Sequence, residues 1–274
     1  MLRSLLALLA AAALFTAAAA ASAAGKTSLT WYGHSAFKIV TPEGHVLFID
    51  PWITNPSNPN GKADLAAIDK ADLILVTHGH FDHVGAAVAI GKRTGAQLVT
   101  NYDLGSAMVA ELGYPAKQAG FGTLGHFGGT LSLLDGEVQV MLVPAVHGGT
   151  FSPPAASGVA PTVVTGGPAG GFVIRIKNGP TFYHTGDTDV FGDMRYIGAE
   201  KIDVMLVCIG DHFTMGPRGA AEAVQLVHPK VAIPMHFGTF PILTGTPAEF
   251  AKQLKALHSK TKMKEMQIGQ TVNF

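Results

Sequence analysis

One cysteine, Cys208, is the only thiol in the 274 residues. A chain with one cysteine cannot staple itself with an internal disulfide, so core packing has to hold the fold. Cys208 lies within the apolar run DVMLVCIG, where it reads as a buried core thiol rather than a reactive one. Charge is also scarce, at 14% of residues, and balanced at 19 Lys plus Arg against 19 Asp plus Glu. A near-neutral chain offers no basic surplus to draw nucleic acid or another polyanion, so neither is expected as a partner. No repeat of solenoid length stands out.

The first 24 residues, MLRSLLALLAAAALFTAAAAASAA, read as a secretory signal peptide and not as part of the fold. Arg3 supplies the positive start, an apolar stretch runs from Leu5 to about Phe15, and Ala21-Ser22-Ala23 has the form of a cleavage site. The strongly apolar part is shorter than the ~20 residues a spanning helix needs, which favours cleavage near Ala23/Ala24 over a stable membrane anchor. The expected product is periplasmic or secreted. Its length, residues 25–274, suits one large domain or two small ones, and it is read as one. Without Arg3 the chain carries 18 basic against 19 acidic residues.

The remainder is strand-rich, with helices between. SLTWYGHSAFKIVT (28–41) and HVLFIDP (45–51) read as paired strands across PEG, and ADLILVT (71–77) as a strand buried on both faces. AAVAIGKRTG (86–95) and DLGSAMVAELG (103–113) read as helices, with Asp103 as N-cap of the second. Asp-Gly at 135–136 and Asn-Gly at 178–179 mark hairpins. KIDVMLVCIG (201–210) and PKVAIPMHF (229–237) read as strands, with a helix over 216–228 and a last helix from Pro247 to about Leu257. TNPSNPNGKADL (54–65) reads as a turn-rich loop. The Gly/Pro-rich, uncharged segment 148–171 leaves His147 directly, as an active-site loop would, and its Phe151 is placed to cover an apolar or mixed substrate. Polar motifs just past strand ends place the chemistry at one rim of two packed sheets.

The densest of these motifs is VTHGHFDHVG, residues 76–85, with His78, His80, Asp82 and His83 directly after an apolar run. Imidazole and carboxylate are ligands that zinc, iron and manganese accept. Four such groups in one turn cannot easily surround two ions, so other segments have to contribute. His147 after VMLVPAV, Asp187 in TFYHTGDT and His236 after VAIPM share one local form, a coordinating group delivered by a hydrophobic strand.

The set HGHFDH, a distant His, TGDT and PMHFG resembles the metallo-β-lactamase superfamily of hydrolases across essentially the whole of residues 25–274. The resemblance implies an α/β (α+β) fold, a four-layer αβ/βα sandwich with metals at the rim. It implies His78, His80 and His147 on a first metal, Asp82, His83 and His236 on a second, and Asp187 bridging both. WYGHSAF, LFIDPW, GFVIRI, YHTGDT, IGDHFTMG and PMHFGTFP look like the bacterial metal-dependent hydrolases related to ascorbate-6-phosphate lactonases. True β-lactamases of the superfamily lack the bridging aspartate, and some use a cysteine on the second metal. Asp187 is present here, and Cys208 sits at no equivalent place, which lowers the reading as a β-lactam hydrolase.

The implied cofactor is two divalent ions, zinc first, with manganese or iron compatible with the same ligands. Such a pair sharing one hydroxide would make a nucleophile at neutral pH and cleave an ester, lactone, amide or phosphodiester bond of a small-molecule substrate. A metal-holding protein without turnover is the competing class. Asp82, His212 and His34 are the candidates for further catalytic contacts, the two histidines as proton donor or substrate ligand. Asp50 is a candidate to orient a ligand histidine. His184 reads as support or core, and His45, His126, His228 and His258 as exposed. Thr214 and Met215 are placed in the pocket wall by resemblance alone. Arg218 and the helix start at Pro217 keep a phosphorylated substrate open, as the sequence does a homo-oligomer.

Overall fold

Alternation along the first strands sorts the chain into layers. Leu29, Trp31, Phe37, Ile39, Leu47, Ile49, Leu73, Leu75 and Val99 are buried and share one core, while Phe48, Ile74, Val76 and Leu98 belong to another. Odd positions therefore face one way and even positions the other, as a pleated strand requires. The computed structural model of the protein describes residues 25–153, 160 and 162–274; the expected signal peptide, 1–24, lies outside the described residues.

Two seven-stranded mixed sheets result. The first runs in the order Thr271–Asn273, Ser28–Trp31, Phe37–Val40, Val46–Ile49, Leu73–Leu75, Gln97–Asn101, Leu124–Gly125. The second runs Lys262–Met263, Val231–Met235, Val204–Cys208, Thr181–His184, Gly170–Ile176, Val138–Pro144, Thr130–Leu133. The odd positions of the first sheet pack against Val138, Val140, Leu142 and their neighbours in the second. Even positions pack on the helices Ala87–Thr94 and Tyr102–Leu112 through Ala87, Ile90, Leu104 and Met108. The helices Pro217–Val227 and Pro247–Ala256 contribute Ala220, Val224, Phe250 and Leu254 to the core of the second sheet. The outcome is the αβ/βα sandwich that the motifs implied.

Strand direction decides where loops collect. Val46–Ile49, Leu73–Leu75 and Gln97–Asn101 are parallel, as are Thr181–His184, Val204–Cys208 and Val231–Met235. Parallel neighbours end on the same side, so Asp50, His78, Asp187, Gly210 and His236 all emerge at one rim.

Several local expectations need correction. The run 28–41 is two strands, broken by a turn closed by Tyr32 N to Ala36 O (2.8 Å) and Ala36 N to Gly33 O (3.0 Å), which carries His34 to the rim. The N-cap of Tyr102–Leu112 is Asn101, whose side chain accepts from Leu104 N at 2.8 Å; Asp103 lies inside the first turn instead. The loop 54–65 contains the start of a helix, Gly61–Ala66. Phe151 is buried beneath Gly79 of the HGH turn and faces the core, not a substrate.

The HGHFDH motif itself makes a one-turn helix, Phe81–Val84, stopped by Gly85 at φ 45°, ψ −121°. A Cβ there would sit 2.6 Å from the backbone of Trp52. Both the conformation and the contact require glycine. Gly85→Ala should cost roughly 3 kcal/mol, a fall in melting temperature of about 6–12 °C for a chain of this size. Calorimetry checks this, and an unchanged melting temperature would refute the packing argument.

Candidate metal centre

Eight side chains converge at the rim. His78, His80 and His147 form one tight group, and His34, Asp82, His83 and His236 form another. Asp187 spans the two: Oδ1 lies 3.2 Å from His83 Nε2, while Oδ2 lies 2.9 Å from His236 Nε2 and 3.7 Å from His147 Nε2. All seven residues expected as ligands are thus brought together, along with His34. His212 is not: it is exposed on the turn 210–213, its backbone N–H bonded to Asp211 Oδ1 at 2.8 Å.

The hydrogen bonds fix the tautomers and show where each free lone pair points. His83 Nδ1 donates to Asp50 Oδ2 at 2.7 Å, which leaves Nε2 without a hydrogen-bond partner and turned toward Asp187. Thr77 Oγ1 donates to Asp50 Oδ2 at 2.7 Å and so accepts from His78 Nδ1 at 3.0 Å. His78 Nε2 is then a bare acceptor, 2.9 Å from His80 Nδ1, which lies 3.2 Å from His147 Nε2. Nitrogens on a tetrahedral ion with bonds of 2.0–2.1 Å stand about 3.3 Å apart. The first group is therefore spaced like the face of such a polyhedron, slightly contracted. Asp187 Oδ1 and both ring nitrogens of His236 are buried without aligned hydrogen bonds, although His236 Nε2 is 2.9 Å from the carboxylate. The atoms are close but aimed at a common point instead of at one another. These residues fit a divalent cation.

His34 differs. Its Nε2 donates to Asp82 Oδ2 at 3.0 Å, and its Nδ1 accepts from Thr239 Oγ1 at 2.8 Å. Both nitrogens are satisfied, the ring is fully buried, and it lines no cavity. The geometry makes it a positioning residue for Asp82, not a group that meets substrate. Asp82 itself borders the cavity. His184 is likewise satisfied, with Nδ1 accepting from Gly186 N at 3.1 Å and Nε2 donating to Ser35 O at 3.1 Å. Gly186, at φ 61°, is a glycine because a Cβ would meet Gly170 O at 2.3 Å. Met215 is buried in the core and does not line the pocket. His45 is half-buried, its Nδ1 bonded to buried Glu137 at the opposite end of the strands. Cys208 is buried beneath Thr185 and Thr188, and that burial pushes its thiol up to about 11.

Electrostatics agree with a site awaiting positive charge. Burial opposes ionisation of Asp187, yet His236 and His83 outweigh it and hold the carboxyl well below its usual range. Asp82 follows the same pattern, with His83 and the bond from His34 overcoming burial. Burial would also lower His83, but Asp187, Asp50 and Asp82 pull it well above the usual imidazole range. Among the described residues no Lys or Arg pairs with these three carboxylates.

A cavity of about 500 Å³ opens over His80, His147, Asp187 and His236. Its other wall is Phe81, Phe213, Phe240 and Ile242. Sequence reading passed over these apolar residues, together with Trp52, Thr77 and Thr239. Phe81 sits inside the HGHFDH motif, where an exposed aromatic beside ligands was the one available signal.

Known proteins are similar to this chain in sequence and fold. The Beta-lactamase superfamily domain model matches residues 28–236. A UPF0173 metal-dependent hydrolase of Thermodesulfovibrio yellowstonii is 55% identical over 249 residues, covering 90% of this chain and 92% of the relative. One from Anaeromyxobacter dehalogenans is 51% identical over 255 residues, covering 92% and 88%. Among solved structures, Igni18, a metallo hydrolase from Ignicoccus hospitalis, aligns with a TM-score of 0.77 at 33% identity, covering 91% of this chain and 98% of that one.

Acid should unfold the metal-stripped protein early. Burial lowers His34 to about 4 and also lowers His78, His80, His147 and His184. The unfolded chain takes up protons near pH 6.5 that these folded rings refuse, so stability falls as pH drops from about 6.5 toward 4. His34 alone accounts for about 3 kcal/mol of that loss. His83, raised in the fold, works the other way and gives up its contribution only as pH rises. Melting temperatures of the stripped protein at pH 7, 5.5 and 4.5 should decline in that order; a level series would contradict the assignment. The matched domain, the identities and the shared fold place this chain in the UPF0173 family of metal-dependent hydrolases, within the metallo-β-lactamase superfamily.

Proposed function

We propose that the protein is an exported dinuclear hydrolase, with zinc the first choice of metal, that cleaves an ester, lactone, amide or phosphodiester bond in a small molecule. The observation that carries the reading is Asp187, whose two oxygens face imidazoles of both groups while neither group has Lys or Arg to balance it. His78, His80 and His147 would hold one ion, and Asp82, His83 and His236 the other. Bound divalent ions supply Lewis acidity, which polarises a carbonyl or phosphoryl oxygen and brings the pKa of water from 15.7 down to about 7.

The protein's own contributions are orientation and proton handling. Asp50 and Thr77 engage the outward nitrogens of His83 and His78, which turns the inward nitrogens toward the cluster. His34 fixes Asp82 through Oδ2 and so holds its carboxylate at the edge of the cavity. Thr239 locks the His34 tautomer in turn. Export rests on the leader in residues 1–24.

Elemental analysis of purified protein should find about two ions per chain. Asp187→Asn should lower that number and reduce turnover by at least about 100-fold. Full activity at normal metal content in this variant would remove Asp187 from its bridging position. Expressed in a bacterial host with a periplasm, the protein should be recovered there with its N-terminus near Ala24 or Gly25. Intact mass with residues 1–24 retained would refute cleavage.

A further inference from the structure

The cavity's walls are unlike each other, and the contrast bears on what enters it. One wall is the cluster of candidate metal ligands. The other presents large apolar side chains to water: Phe81 is 68% exposed, Phe213 54% and Ile242 46%. Such groups are normally covered, and here they stand around a concave opening of about 500 Å³, within the range of small-molecule sites. The wall is also braced. Trp52 meets Phe81 edge-on, with centroids 5.4 Å apart, and stacks on Phe240 at 5.8 Å.

No cation accompanies this wall. Among the described residues lining the cavity none is Lys or Arg. Arg218, which follows the GDHFTMG turn, is 84% exposed and bonded to Glu222 at 3.0 Å. The helix that starts at Pro217 contributes no residue to the cavity lining. The whole segment 148–171 that follows His147 contains no charged residue. A phosphoryl group away from the scissile bond would therefore lose its hydration and gain no charge-assisted hydrogen bond.

Building on the hydrolase reading, we infer that the substrate is an uncharged carboxylic ester or lactone carrying an alkyl or aryl group, seated against Phe81, Phe213, Phe240 and Ile242 while its carbonyl faces Asp187 and His236. A phosphorylated sugar lactone does not suit the site. The specificity-determining residues are then Phe213 and Ile242, which are exposed and can be altered without opening the core.

Two measurements on the zinc-loaded, full-length protein separate this inference from the hydrolase reading. In the first, kcat/KM for p-nitrophenyl acetate, butyrate and hexanoate should rise by about 3- to 4-fold per added methylene. The preference for hexanoate over acetate should shrink at least about 5-fold in F213S/I242S. In the second, calorimetry with acetohydroxamate and hexanohydroxamate reads binding without turnover, and the longer ligand should bind at least about 10-fold more tightly. Hexanohydroxamate preference with no ester or lactone hydrolysis keeps the apolar seat but overturns the ester and lactone assignment, leaving the hydrolase reading to amides and phosphodiesters. Ester hydrolysis with no chain-length dependence in either series keeps the hydrolase and overturns the inference. So would binding of neither hydroxamate, or faster turnover of a sugar-phosphate lactone than of a six-carbon alkyl lactone.

Discussion

The carboxylate of Asp50, fully buried at the end of the strand Val46–Ile49, ties the first sheet to the histidine-rich turn. It accepts from the Thr77 backbone N–H at 2.8 Å, from Thr77 Oγ1 at 2.7 Å and from His83 Nδ1 at 2.7 Å. A buried carboxylate without partners would be costly, and three donors offset that cost. The consequence for chemistry is indirect and large. By occupying Nδ1 of His83, and through Thr77 that of His78, Asp50 decides which nitrogen of each ring carries a proton. Both inward nitrogens are thereby aimed at the cluster, so a single side chain outside it orients two of its members for metal binding.

The second sheet reaches the same rim by a different route. Asp187 and His236 end parallel strands, and His147 lies three residues past the long strand Val138–Pro144. The backbone is under tension where it turns. His34, Asp50, Asp211, His212 and His236 all have φ between 44° and 66°, a region that residues other than glycine seldom adopt. Only the packed sandwich behind them can hold so many such residues at one edge. The strain makes sense as positioning: His236 N bonds to His34 O at 3.1 Å, joining the tip of the first hairpin to the last ligand strand across the two sheets. His184, bonded to Ser35 O at 3.1 Å, makes a second such tie.

Much of this arrangement was legible in the sequence because strand ends and ligand types are local properties. ADLILVT followed by HGHFDH, or VAIPM followed by His236, states both the strand and the group it delivers. The first sheet's broken hairpin was less legible, since Trp31, Tyr32, Ala36 and Phe37 continue an apolar pattern through a turn that only Gly33 and the hydrogen bonds of Tyr32 and Ala36 reveal. The choice of Asn101 over Asp103 as cap was similarly undecidable, both being good acceptors two residues apart. His34 and His212 could not be told apart from their neighbours in sequence. Their surroundings differ completely in space, His34 held on both nitrogens and His212 out at the surface. Phe81, Phe213 and Ile242 failed for another reason: an apolar residue reads as core unless something shows that its face is open.

The balance of charge joins these strands of reasoning. Asp50, Asp82 and Asp187 lie within one small volume, and among the described residues the only basic groups that face them are imidazoles. Protonating those imidazoles would relieve the carboxylates, but burial opposes this for His34, His78, His80 and His147. Only His83, pressed by all three carboxylates, is driven the other way. Divalent cations would resolve the conflict, because they would neutralise the carboxylates, take the neutral imidazoles as they stand and displace the extra proton of His83. On the reading proposed above, bound cations would balance the carboxylates of the polar wall, and the apolar wall of Phe81, Phe213, Phe240 and Ile242 would select the molecule that settles beside them.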